Sequence, residues 1–262
     1  MNVILLSGGS GKRLWPLSNN IRSKQFLKIL KNTNGSYESM VQRMYRMIKS
    51  VDETASITIA TAENQVGIIQ SQLEDKVNIS IEPCRRDTFP AIALATAFLH
   101  DRLGVDRDEA VVVCPVDPYV DEDYFCMLLK LSDRAKIGTS NLSLMGIEPT
   151  YPSAKYGYII PKTTNEESVV EAFREKPSKV DAEELIKQGA LWNSGVFAYK
   201  LSYVLDKSKE LFDTDNYEAL FNNYENLNKI SFDYAVVEKE QSIAVLRFNG
   251  SWKDLGTWNT LT

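Results

Sequence analysis

The 262-residue chain contains a single histidine, His100, and three cysteines, Cys84, Cys114 and Cys126, with no Cys-x-x-Cys pair. One histidine, placed at the end of an expected helix, removes most support for Ser-His-Asp chemistry and for multi-histidine metal sites. The odd number and wide spacing of the cysteines argue against a disulfide framework or a structural zinc site, and all three read as reduced, buried thiols. No apolar run approaches the roughly 20 residues needed to cross a bilayer. The short apolar stretch Val3 to Leu6 has no cation before it, so no secretory signal is expected, and a cytoplasmic protein without membrane contact is. Acidic residues are absent from the first 37 positions, which hold Lys12, Arg13, Arg22, Lys24, Lys28 and Lys31. The net charge of -5 nevertheless argues against nucleic acid as a partner. The local cations therefore read as a solvated basic face or as an anion site.

What is present is ordinary for a globular chain, with 44% hydrophobic and 25% charged residues. Short β-branched segments at 2–6, 56–60, 77–81 and 109–113 alternate with helical patterns near 37–49, 62–74, 88–102 and 121–136. Such alternation predicts an α/β fold, a mainly parallel sheet with helices on both faces. Further strands are expected near 141–146, 156–160, 168–174, 194–199 and 243–247, and helices at 179–188, 201–211, 215–226 and 231–238. No repeat or low-complexity linker interrupts the chain, so one continuous domain with an antiparallel insertion in its second half is the simplest expectation.

The first strand runs directly into SGGSGKR (7–13). Ligands of open parallel sheets bind beyond the carboxyl ends of the strands, where this turn lies. Glycines permit close approach, successive N–H groups form an anion nest, and Lys12 and Arg13 add positive charge. The P-loop pattern GxxxxGK[ST] fails, because Leu6 would be its first glycine and Arg13 stands where Ser or Thr is required. GxGxxG fails because Leu14 takes the third glycine position.

SGGSGKRLWPLS followed by SKQFLKI instead resembles the signature of sugar-phosphate nucleotidyltransferases, and most closely their mannose-1-phosphate guanylyltransferase branch, whose wording is GGxGxRLWPLS and PKQFL. Ser23 replaces the proline before Lys24. The resemblance covers nearly the whole chain. IEPCRRDTFPAIALA is similar to EPxxRxTAPAIALA, which implies positions beside the nucleotide for Glu82, Arg86, Asp87 and Pro90; by itself RRDT reads as a helix cap. In VVVCPVDPYV, Asp117 ends a valine-rich strand, and a carboxylate there is a natural Mg²⁺ ligand. Pro118 stands where relatives read histidine, so only the aspartate's role carries over. Asp121, Glu122 and Asp123 read as a helix start. KYGYI, FREKP and LWNSGVF are similar to the family's YGYI, EKP and WNSGIF, implying sugar-phosphate contacts from Gly157, Glu175, Lys176 and Asn193. On residues alone these would be a strand glycine, an ion pair and a strand. SFDYAVVEK resembles SIDYAVMEK, whose aspartate is within reach of the sugar. WKDLGTW resembles WxDVGSW and implies Asp254 as a second metal ligand.

The resemblance implies a Rossmann-like mainly parallel mixed sheet flanked by helices, of nucleotide-diphospho-sugar transferase type, with a small antiparallel insertion. It implies one catalytic domain over 1–262, without the C-terminal β-helix or isomerase region of many relatives. The implied reaction moves a nucleotidyl group from a nucleoside triphosphate, GTP, to a sugar 1-phosphate, mannose 1-phosphate, with Mg²⁺ held by Asp117 and Asp254. The nucleotide would be held by Leu6, Gly8, Gly9, Gly11, Lys12 and Arg13, and Arg13, Lys24, Asp117 and Asp254 would carry catalysis. A homodimer is compatible with it. Alternatives are a heptose 1-phosphate with GTP, glucose 1-phosphate with UTP or dTTP, and a non-catalytic subunit that binds a nucleotide sugar.

Overall fold

The computed structural model describes residues 1–8, 23–32 and 34–254, with Asp254 described for its backbone alone. β1 (Asn2–Leu6) is followed by a 3-10 turn at Lys24–Phe26 and by a hairpin of two short strands, β2 (Leu30–Lys31) and β3 (Tyr37–Glu38). Then come α1 (Met40–Val51), β4 (Ser56–Ala62), α2 (Val66–Leu73), β5 (Asn78–Glu82), α3 (Thr88–Asp101) and β6 (Ala110–Pro115). The expected start of α1 at 37 shifts to Met40 because Ser39 and Gln42 form a reciprocal capping box. The second half contains β7 (Pro118–Val120), α4 (Glu122–Ile137), β8 (Leu142–Ile147), β9 (Tyr158–Pro161), β10 (Glu167–Arg174) and α5 (Lys179–Lys187). It continues through β11 (Leu191–Lys200), α6 (Leu201–Phe212), α7 (Tyr217–Asn222), a π-helical turn at Asp233–Val237, β12 (Ile243–Phe248) and β13 (Trp252–Asp254).

Nine strands form one sheet in the order β5-β4-β1-β6-β11-β8-β12-β10-β9. The first four are mutually parallel, as helical crossovers require. β11 enters antiparallel to β6, and beyond it the pairings are mixed. β9 pairs with both β10 and β11, which closes a ring of pairings among β11, β8, β12, β10 and β9. The antiparallel part is thus continuous with the main sheet. Strands β9 and β10 need only the short link 162–166 between them, because antiparallel neighbours require no crossover.

Side chains alternate between the two faces with period two. Val3, Leu5, Val112 and Cys114 join the core under α1, α2 and α4. Ile4, Val111 and Val113 join the core under α3 and α6. Only Cys114 is buried; Cys84 is half-buried, and Cys126 is exposed because it falls out of phase with the buried stripe Tyr124, Phe125, Leu128 and Leu131 of α4. The reading of three buried thiols is therefore corrected to one, although all three are free. His100 lies in the last turn of α3, where its Nδ1 meets the Val105 carbonyl at 2.9 Å. Among the described residues no helix is long and apolar enough to cross a membrane.

The second core is organised around Phe232, which is fully buried. Its ring centroid lies 4.6 Å from that of Phe197 and 6.2 Å from those of Phe89 and Tyr199. Its backbone N–H donates to Thr88 Oγ1 at 2.8 Å, which ties the π-helical turn to the start of α3. Truncation to alanine would leave a ring-sized cavity, so Phe232→Ala should lose about 3–5 kcal/mol in urea denaturation. A loss below about 1 kcal/mol would contradict this packing.

Candidate active site

Two clefts open side by side at the carboxyl ends of the parallel strands and share Pro115 and Asp117. The first has a volume of about 370 Å³. Its floor is the ends of β1, β4, β5 and β6, represented by Leu6, Ala60, Glu82 and Pro115. The second, about 280 Å³, lies over β9 and β11 and is lined by Gly157, Glu175, Lys176, Asn193 and Asp233.

Lys24 enters the first cleft from the 3-10 turn, and its Nζ meets Asp117 Oδ2 at 2.8 Å. The turn is held in place by amides. Gln25 Nε2 donates to the Ser7 carbonyl at 3.0 Å, and Gln72 Nε2 donates to the Phe26 carbonyl at 2.9 Å. At the opposite wall Asp87 caps α3 by accepting from Thr88 N–H at 2.8 Å, and it takes a positive φ of 71° to do so. Glu82 is buried and accepts from the Tyr224 hydroxyl at 3.0 Å. Burial pushes its pKa up, against the hydrogen bond from Tyr224 and the charge of Arg85.

The second cleft depends on a glycine. A Cβ on Gly157 would stand 2.6 Å from Glu175 Oε2 and 2.7 Å from Phe173 Cζ, so a side chain there would force the carboxylate or the ring to shift. The Glu175 side chain is 8% exposed, whereas that of Lys176 is 58% exposed, with 2.5 Å between Lys176 Nζ and Glu175 Oε1. Asn193 is oriented from both ends. Its Nδ2 donates to Asp233 Oδ1 at 2.7 Å, and its Oδ1 accepts from Gly195 N–H at 3.1 Å. Gly195 has φ 72°, within the irregular pairing between Asn193 and Phe197 on β11. Burial first, and then the charge of Glu175, push the Asp233 carboxyl up to about 6.

The structure therefore brings together Leu6, Gly8, Lys24, Glu82, Asp87 and Asp117 around one cleft, and Gly157, Glu175, Lys176 and Asn193 around the other. Arg86 turns away, donating to the Glu225 carbonyl, and Pro90 is buried within α3; neither lines a cleft. The neighbouring Arg85 lines the first cleft instead. Gly9, Gly11, Lys12 and Arg13 lie outside the described residues, as does the side chain of Asp254. The Asp254 backbone is described, and it lies opposite Pro118 in the β7–β13 ribbon, one residue from Asp117. Asp121 does not cap α4 with its side chain; its Oδ2 accepts from Ser251 N–H at 2.9 Å, at the entry to β13. Among the described residues no group of three or more His, Cys, Asp or Glu is placed to hold a metal ion. Gln65, Arg85 and Lys229 line the first cleft without any sequence motif pointing to them, beside Gln25 of KQFL and Thr88 of RRDT. Single polar residues in loops carry no periodic signal.

Residues 2–262 match the family described as Nucleotidyl transferase. The chain belongs to the nucleotidyl transferase family. It is 31% identical to the alginate biosynthesis protein AlgA of Pseudomonas fluorescens, over 100% of this chain and 57% of that protein. It is 31% identical to an Escherichia coli mannose-1-phosphate guanylyltransferase, over 98% of this chain and 60% of that protein. This nucleotidyl transferase chain thus spans somewhat over half the length of the curated relatives it matches. A Thermus thermophilus crystal structure named as a mannose-1-phosphate geranyltransferase is similar in fold, with TM-score 0.82, 28% identity, and 98% and 76% of the two chains covered.

The Asp233 carboxyl gives a pH test. Its folded pKa of about 6 stands above the ordinary 3.8, so its contribution is fully present below pH 4 and is lost as pH rises through 6. Two units correspond to roughly 2–3 kcal/mol. Asp233→Asn removes this titration, so the stability of the variant relative to the parent should rise by about that amount between pH 4 and 7.5. Urea denaturation across that range measures it, and a pH-independent difference would contradict the assignment.

Proposed function

We propose that this chain transfers a guanylyl group from GTP to mannose 1-phosphate, forming GDP-mannose and releasing pyrophosphate. The observation that carries the reading is the meeting of two clefts at Asp117, with Lys24 against it. A reaction joining a nucleotide to a sugar phosphate needs two adjoining subsites with charge neutralisation where they touch. The relatives named for mannose 1-phosphate and guanylyl transfer support the choice of substrates.

In this reading the first cleft takes the nucleotide. Leu6, Gly8, Glu82 and Asp87 border it, while the glycine turn with Gly9, Gly11, Lys12 and Arg13 holds the β- and γ-phosphates. The second cleft takes the sugar phosphate. Glu175 and Asn193 meet hydroxyls, the Gly157 backbone allows close approach, and Lys176 neutralises the attacking phosphate. A phosphate oxygen of the sugar 1-phosphate attacks the α-phosphorus, the α–β phosphoanhydride bond breaks, and pyrophosphate leaves. The nucleophile is already an anion, so no general base is needed, which suits a chain with one histidine remote in role. Lys24 stabilises charge at the α-phosphate.

In this reading Asp117 and Asp254 offer hard oxygens that suit Mg²⁺; Asp117 stands immediately before β7, and the Asp254 backbone lies on the strand paired with it. Contact with Lys24 does not exhaust the acceptor sites of a carboxylate. When bound, the cation neutralises phosphate charge.

Removing a preorganised cation or ligand of this kind typically costs about 10²–10³ in rate. Arg13→Ala and Asp254→Ala should each lose that much kcat in a pyrophosphate-release assay with circular dichroism unchanged. The same assay over four nucleotides and mannose, glucose and heptose 1-phosphates tests the substrates. Turnover greatest with GTP and mannose 1-phosphate supports the reading. A preference for another pair reassigns the substrates, and absent turnover with every pair contradicts an enzyme.

A further inference from the structure

Ser23, immediately before Lys24, is wholly buried, and so are Gln65, which lines the first cleft, and Thr61. The three form one hydrogen-bonded chain. Thr61 Oγ1 donates to Gln65 Oε1 at 2.8 Å, and Gln65 Nε2 donates to Ser23 Oγ at 2.9 Å. Thr61 belongs to β4, so the chain runs from the central sheet to the residue that launches the 3-10 turn. Ser23 supplies the carbonyl that starts that turn, accepting from Phe26 N–H at 3.0 Å. On the side nearer β1, Gln25 ties the same turn to Ser7. Lys24 therefore projects into the cleft from a segment gripped on both sides by buried amides. A buried amide chain of this kind fixes position closely, because breaking any link leaves polar groups without water to replace it.

We propose that Gln65 is a positioning residue for Lys24, acting through the Ser23 hydroxyl and touching neither reacting phosphate. The inference rests on the role given to Lys24 above. Ser23 has φ -67° and ψ 163°, dihedrals that a proline ring also adopts. The Gln65–Ser23 bond and a fixed φ are thus two ways of holding the same backbone, and only the first depends on Gln65.

The test is a set of variants assayed for kcat, KM for GTP and melting temperature. Lys24→Met tests the underlying reading, with a kcat loss of about 10²–10³ expected. If Lys24→Met turns over normally, the role of Lys24 fails and the inference falls with it. Gln65→Met keeps the length of the side chain and removes its hydrogen bonds. A displaced reacting group costs up to about 10² in rate, so a kcat loss of about tenfold to hundredfold is expected, with KM for GTP changed less than threefold. Added to Lys24→Met, it should cost nothing further. Ser23→Pro added to Gln65→Met should restore at least part of the lost kcat. A damaged Lys24→Met enzyme beside a fully active Gln65→Met enzyme would overturn the inference while leaving the reading intact. So would a rise in KM for GTP as large as the fall in kcat, or a full additional loss in the Lys24→Met background. If the proline variant does not fold, the comparison of Gln65→Met with and without Lys24 still decides.

Discussion

The ion pair between Lys24 and Asp117 fixes the relation between the two halves of the site. Asp117 follows β6, which belongs to the parallel half of the sheet, and β6 is also the strand against which the antiparallel half begins. Lys24 arrives from a turn held to the ends of β1 and β4. As a partly exposed pair the contact adds little stability, on the order of 1 kcal/mol or less. Its importance is geometric. It sets a cation and an anion at the wall that both clefts share, where charge changes hands in the proposed chemistry.

The β7–β13 ribbon extends the same logic. Pro118 pairs with Asp254 across two strands of three residues each, so Asp254, far from Asp117 in sequence, comes to lie opposite the residue that follows it. Such a short ribbon needs outside support. Asp121 gives it by accepting from the Ser251 N–H, and Trp252 packs beside Tyr156, with 5.5 Å between ring centroids. Trp252 and Tyr156 both line the second cleft, so the same packing that seats the Asp254 backbone also shapes the cleft.

Much of this was readable in the sequence. Strand runs such as AVVVCP announce themselves by unbroken β-branched composition and amphipathic segments such as α4 by period, and the N-terminal parallel half followed directly. The ribbons did not, because two or three residues are too few to show alternation. The closed ring of strands in the second half was equally invisible, since register between β9 and β11 depends on tertiary contacts rather than local pattern. Within the site, motif wording located Asp117, Glu175 and Asn193. It selected Arg86 over Arg85, because adjacent loop residues have no phase from which to judge which one faces inward. In the sequence Ser23 is only a replaced proline, and only the structure shows that its hydroxyl is bonded to Gln65.

The most direct test of a site divided at Asp117 is a crystal structure with GDP-mannose and Mg²⁺. The expected density spans both clefts, with the base beside Glu82, the mannose beside Glu175 and Asn193, and the diphosphate at Lys24 and Asp117. A nucleotide sugar confined to one cleft, or bound away from Asp117, would contradict the account.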